Sequence, residues 1–145
     1  MIHEFVELIP DDLKEGVVYI SMTFGTVVHK CCCGCGGEVV TPLSPTDWKL
    51  TFDGESISLY PSIGNWSFNC KSHYWITNNK VEWARKWSEK EIKAERHKDF
   101  LEKRKYYHNK EQAFNSDFIV SLEKLKNNKL EIRNKFWSKI KKWWF

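Results

Sequence analysis

The feature that most constrains this chain is CCCGCGG at residues 31–37, followed, with 34 residues between Cys35 and Cys70, by Cys70 and His73 in a C-x-x-H arrangement. Five cysteines are an odd number, and four of them lie within five residues. In a reducing compartment, cysteines so arranged serve metal binding better than disulfides. Zinc takes four thiolate or imidazole ligands, usually as two close pairs delivered by two turns. The first pair lies within 31–35, where Cys32 and Cys35 have the C-x-x-C spacing of a knuckle and Cys31, Cys33 and Cys35 alternate instead. The second pair is Cys70 with His73. Gly34 and Gly36 free the backbone to turn amides toward the sulfurs. A zinc-bound protein is the expectation, and without Cys70 nearby His73 would read as a core histidine beside Tyr74 and Trp75.

The sequence on both sides of the cysteines reads as β structure. VVYISMTFGTVVHK is rich in Val, Ile, Tyr and Thr and is interrupted near Gly25, and EVVTP forms a short strand. Trp48, Leu50 and Phe52 alternate with Lys49 and Thr51, and Ile57 and Leu59 alternate with Ser56, Ser58 and Tyr60, which makes a hairpin across Asp53-Gly54. HYWITNNKVEW repeats the design with a turn at Asn78-Asn79. Residues 1–83 are thus expected to form a small antiparallel zinc-binding β domain.

Beyond Trp83 the composition changes. Pro and Gly are absent to the end, and Lys and Glu dominate. Residues 1–83 carry 5 Lys/Arg against 10 Asp/Glu, and residues 84–145 carry 18 against 9. An acidic body and a basic helical region at 84–145 follow. Ser88 and Glu91 have the spacing of a capping box, starting a helix that runs to about Gln112, and Asn115 or Ser116 would cap a second. In that second segment Phe118, Leu122, Leu125, Ile132, Phe136, Ile140 and Trp143 recur at three- and four-residue steps around Lys129. The resulting fold class is α+β, a β domain followed by a C-terminal helical hairpin, with 116–145 available for self-association or a partner. The basic aromatic end KFWSKIKKWWF also permits membrane or nucleic-acid contact, but its aromatics continue the stripe, so packing is preferred. No signal peptide and no run of about 18 apolar residues is present, which reads as cytoplasmic.

HKCCCGCGG, TPLSPTDWKL, SISLYPSIGNW and CKSHYWITNNKVEW together resemble the DUF6527 family, small bacterial proteins found with ubiquitin-like conjugation systems, over roughly Gly16 to Asp99. The family pattern places a proline where this chain has Cys32. The resemblance therefore implies Cys31, Cys33, Cys35, Cys70 and His73 as ligands. It also implies partners: a ubiquitin-like protein and its E1-like and E2-like enzymes. A zinc-binding accessory protein of that pathway is the resulting expectation.

A peptidase that processes or removes the modifier is the alternative. With three ligands bound, an open zinc position would activate water and Glu38, three residues after Cys35, would be the general base. A second version uses Cys70 or Ser72 as nucleophile with His73 as base. Ser72 otherwise serves as a hydrogen-bond donor to a thiolate. As a binding module, the chain would present Trp66 and Phe68 from its 62–69 loop.

Overall fold

The computed structural model describes the backbone of residues 1–141 and the side chains of residues 1–131. Two compact units are present, Met1–Lys98 and Asp99–Phe145.

Two four-stranded sheets build the first unit. In one, β1 (Ile2–Phe5), β2 (Val17–Ser21), β3 (Thr26–Lys30) and β4 (Glu38–Pro42) are neighbours in that order; in the other, β5 (Lys49–Phe52), β6 (Ile57–Gly64), β7 (His73–Thr77) and β8 (Lys80–Trp83) are. The stretch broken at Gly25 is a hairpin, with Val27 opposite Ile20 and Val28 opposite Tyr19. The hairpin at Asp53-Gly54 forms as its alternation requires, with Thr51 opposite Ser58. At the Asn78-Asn79 turn both residues take positive φ, 47° and 60°, a conformation asparagine tolerates better than other non-glycine residues.

One strand departs from the antiparallel expectation. β1 pairs with β2 in parallel, Ile2 opposite Val17 and Phe5 opposite Ile20. The polar IHEF has no continuous apolar pattern to mark it, and it is held by its neighbour's open edge.

The core lies between the sheets. Val18, Ile20, Val27 and Val39 of the first meet Ile57, Leu59, Ile63, Tyr74 and Ile76 of the second, all 4% exposed or less. Burying such side chains contributes about 1.5–3 kcal/mol each. A second cluster on the outer face of the first sheet, Leu13, Val17, Tyr19 and Val28, sits under the segment carrying Val6 and Ile9.

The helical hairpin is replaced by one continuous helix, α1 (Glu89–Lys141). Its start is the capping box the sequence spells: Ser88 N–H donates to Glu91 Oε2 at 2.8 Å, and Glu91 N–H donates to Ser88 Oγ at 3.3 Å. Ile92, 4% exposed, anchors the first turn. Ser116 caps nothing; its hydroxyl donates back to the Ala113 carbonyl at 2.8 Å, a bond compatible with an unbroken helix. With no Gly or Pro to stop it, the helix runs through. Phe118, Leu122 and Leu125 of the apolar stripe are exposed. The side chains of Ile132, Phe136 and Ile140, and Trp143 altogether, lie outside the described residues. Among the described residues no helix is long and apolar enough to cross a membrane.

Candidate functional site

Two hairpin loops at one end of the sandwich build the cysteine centre. The β3–β4 loop is closed by Cys31 N–H donating to the Gly37 carbonyl at 2.7 Å, and the Gly34 amide donates to the Cys31 carbonyl at 3.0 Å. Gly34 and Gly36 take φ of 80° and 76°, which a side chain would strain. The β6–β7 loop is pinned by Asn65 N–H to the Ser72 carbonyl at 2.9 Å. Phe68 knits the loops together: a Cβ on Gly37 would lie 2.7 Å from its ring.

These loops bring four sulfurs together. Cys31, Cys33, Cys35 and Cys70 all lie within 4.8 Å of one another. The separations are 3.4 Å for Cys31–Cys33, 3.9 Å for Cys31–Cys70 and 3.7 Å for Cys35–Cys70. A zinc ion with Zn–S of about 2.3 Å would require tetrahedral edges of about 3.8 Å. Thiol spacing of this kind fits a divalent ion. Cys31 is buried and the other three are exposed, and all five cysteines are free thiols. Cys32 turns away, its Sγ 3.7 Å from Met1 Sδ and packed against the core. Burial raises its thiol pKa.

Cys31 sits in a network of buried polar side chains. Asn65 Nδ2 donates to Ser72 Oγ at 2.8 Å, and the Ser72 hydroxyl lies within hydrogen-bond reach of two sulfurs, 3.1 Å from Cys31 Sγ and 3.6 Å from Cys70 Sγ. Asn65 Nδ2 also reaches Tyr74 Oη at 3.4 Å, leaving the phenol proton for His29 Nε2 at 2.9 Å. His29 is fully buried, and that burial lowers its pKa to about 4. A neutral polar chain thus runs from His29 to the sulfurs, while His29 Nδ1 is buried with no hydrogen-bond partner among the described residues. At Cys70, burial works to raise the thiol pKa, but the hydroxyl and amide of Ser72 and the thiols of Cys33 and Cys35 bring it down to about 6. Cys33 is pushed up to about 12, by desolvation and by the neighbouring Cys31 thiol. Protons shared among crowded thiols are what a bound cation would displace.

His73 stands apart from the four sulfurs. Its Nε2 lies 2.9 Å from Ser62 Oγ on β6, across the β6–β7 ladder where Gly64 faces His73. His73 is 5% exposed and Ser62 is half-buried. Nδ1 is buried with no hydrogen-bond partner among the described residues. Burial lowers the His73 pKa, the Arg85 backbone opposing the shift and the Arg85 charge adding to it. The ring is walled by three indoles, with centroids 4.9 Å away for Trp66, 4.8 Å for Trp87 and 5.6 Å for Trp75. Trp66 and Trp87 stack on each other at 5.5 Å.

A serine hydroxyl in hydrogen-bond contact with a buried, neutral imidazole is the geometry of an activated nucleophile. Residues 5–84, more than half of the chain, match the family described as bacterial ubiquitination-like system serine protease, BubE. The chain belongs to the BubE family. That places it within a bacterial ubiquitination-like system, as the motif resemblance implied. No curated protein and no solved structure matches the chain. Both Ser62 and His73, and all four clustered cysteines, fall inside the span that matches BubE.

Glu38 opens β4, exposed, opposite Lys30. Ser72 is 7% exposed and committed to Cys31. Trp66 lies on the His73 ring and Phe68 on Gly37. Ser62 escaped the sequence reading because it is 11 residues from His73, outside local reach. Its signal was present in SISLYPSIGNW, one of the runs carrying the family resemblance.

Proposed function

We propose that this BubE-family chain is a serine peptidase acting on the ubiquitin-like protein of its system, with Ser62 as nucleophile, His73 as general base, and zinc held by Cys31, Cys33, Cys35 and Cys70 as a structural ion. The 2.9 Å contact between Ser62 Oγ and His73 Nε2 carries this reading. Ser62 Oγ attacks the scissile carbonyl while His73 Nε2 takes its proton. His73 then returns that proton to the departing amine, leaving an acyl-Ser62 ester. Water, deprotonated by His73, hydrolyses the ester and restores the serine. Because burial disfavours the charged imidazole, His73 is neutral at pH 7 and ready to accept the proton. The three indoles hold the ring and keep water from it.

Four thiolates would close a zinc tetrahedron, which supports a structural ion cross-linking the two loops over an open position activating water for Glu38. The cross-link fixes Ser72, and through it the start of β7 where His73 stands. An accessory role without catalysis would leave the Ser62–His73 contact without a purpose.

The direct test is labelling of the purified protein with a fluorophosphonate, followed by peptide mass mapping. Modification at Ser62, lost in Ser62→Ala and His73→Ala, is the expected result. Labelling that persists in Ser62→Ala, or fails in folded wild-type protein, would remove Ser62 as the nucleophile.

A further inference from the structure

We infer that the acyl half of the substrate binds as an extended, apolar peptide strand along the open edge of β6, in the groove that leads to Ser62. The inference deepens the peptidase reading and rests on Ser62 as nucleophile.

β5 stops short of the nucleophile. Its last pair is Lys49 opposite Tyr60, while β6 continues through Pro61, Ser62, Ile63 and Gly64. Along that continuation the neighbouring strand is β7 alone, with Ile63 opposite Tyr74 and Gly64 opposite His73. The ladder ends for a physical reason. Pro61 has no N–H to extend it, and the Trp48 amide that would come next donates instead to the Pro42 carbonyl at 3.1 Å.

Antiparallel strands turn successive residues' N–H and C=O groups to alternate sides. Asn65 donates to the carbonyl of Ser72, just before β7, so Gly64, one residue before Asn65, presents its amide and carbonyl to the vacant side. An exposed edge of this kind accepts an added strand, the mode in which backbone bonds give affinity and side-chain pockets give selectivity. Here the edge ends beside the nucleophile, so a strand docked on it would carry its carbonyl to Ser62 Oγ.

A groove of about 580 Å³ borders this edge, walled by Met22, Leu43, Trp48, Leu50, Tyr60 and Pro61, with Ser44, Pro45, Asp47 and Lys49 completing its lining. Tyr60 and Pro61, which line the groove, immediately precede Ser62 in the chain. Its walls are mostly apolar, with Met22 64% and Tyr60 70% exposed and free to meet a ligand. Where a modifier is joined through its C-terminal carboxyl, its C-terminal segment is the acyl half that Ser62 would attack. An extended apolar tail on that segment is therefore the occupant with the right chemistry.

Three glycine diphenyl phosphonates test this on the full-length protein: the bare warhead, one extended on its acyl side by three leucines, and one extended by three glutamates. In wild type the leucine extension should speed inactivation about ten-fold or more over the bare probe, and the glutamate extension far less. In Met22→Glu and Tyr60→Ala, both at exposed positions, the leucine gain measured against the same variant's bare-probe rate should shrink several-fold. Equal rates for bare and leucine-extended probes in wild type, or a gain retained in both variants, would overturn the groove assignment while leaving Ser62 in place. No reaction of any probe at Ser62 would remove the nucleophile and this inference with it.

Discussion

Ser72, the residue just before β7, and His73, its first residue, turn their side chains to opposite sides of the chain: Ser72 Oγ lies 3.1 Å from Cys31 Sγ, and His73 Nε2 lies 2.9 Å from Ser62 Oγ. The two-residue period of a strand thus sets the cysteine centre and the serine–histidine pair back to back.

Removing either member of the pair should abolish catalysis with the fold retained. Ser62→Ala and His73→Ala are each expected to lower kcat/KM by about 10³-fold or more, and the double variant to lose little beyond either single one, because the two act as a unit. Single-turnover cleavage of a modifier–peptide fusion, with circular dichroism on each variant, measures this. Additive losses in the double variant would mean that the two residues work separately.

Activity should fall on the acid side. Burial sets the His73 pKa below its ordinary 6.5, and the base must be neutral. The rate constant for the bare phosphonate should be flat above that value and decline through a midpoint lying below 6.5. Folding stability moves in the same sense: the unfolded chain binds the His73 proton more tightly, so this contribution is complete above 6.5 and is lost as pH falls below it. A midpoint above 6.5 would assign the titration to another group.

Ser72 and the cysteines should govern stability rather than chemistry. Ser72→Ala removes a hydroxyl donor to Cys31 and a partner of Asn65, costing about 1–3 kcal/mol, while fluorophosphonate labelling at Ser62 persists. Cys70→Ser, or treatment with a chelator, should lower the melting temperature, with one zinc per chain found by elemental analysis of the untreated protein. Labelling lost in Ser72→Ala with the fold intact would return Ser72 to the role of nucleophile.

Gly64→Ala tests the indole wall. A Cβ there would lie 2.4–2.6 Å from Trp66 ring atoms, so the indole must leave its place against His73. The expected result is a larger fractional loss of kcat than of melting temperature, together with a change in tryptophan fluorescence. An unchanged kcat would show that Trp66 is not needed to hold the imidazole.

Much of the fold was legible because local rules decided it. The hairpins at Asp53-Gly54 and Asn78-Asn79 follow from alternation and turn chemistry, and Ser88 with Glu91 capped the helix as their spacing required. The extent of α1 was not legible, because Asn115 and Ser116 are compatible with both a cap and a helix interior. β1 was not either, since a parallel edge strand takes its place from its partner β2.

The same division holds at the site. Sequence by itself singled out candidates, the cysteines of 31–35 with the distant Cys70 and His73 among aromatics, the alternating Cys31, Cys33 and Cys35 being favoured by the family resemblance; Ser62 was not among them. Only the tertiary structure decided how they are shared out. Spacing along the chain made His73 a neighbour of Cys70, but the pairing of β6 with β7 set its imidazole against Ser62, while the two hairpin loops closed four sulfurs without it. Side-chain direction on a strand alternates with every residue, and what lies on each face is fixed by the partner strand. That is information no local spacing contains.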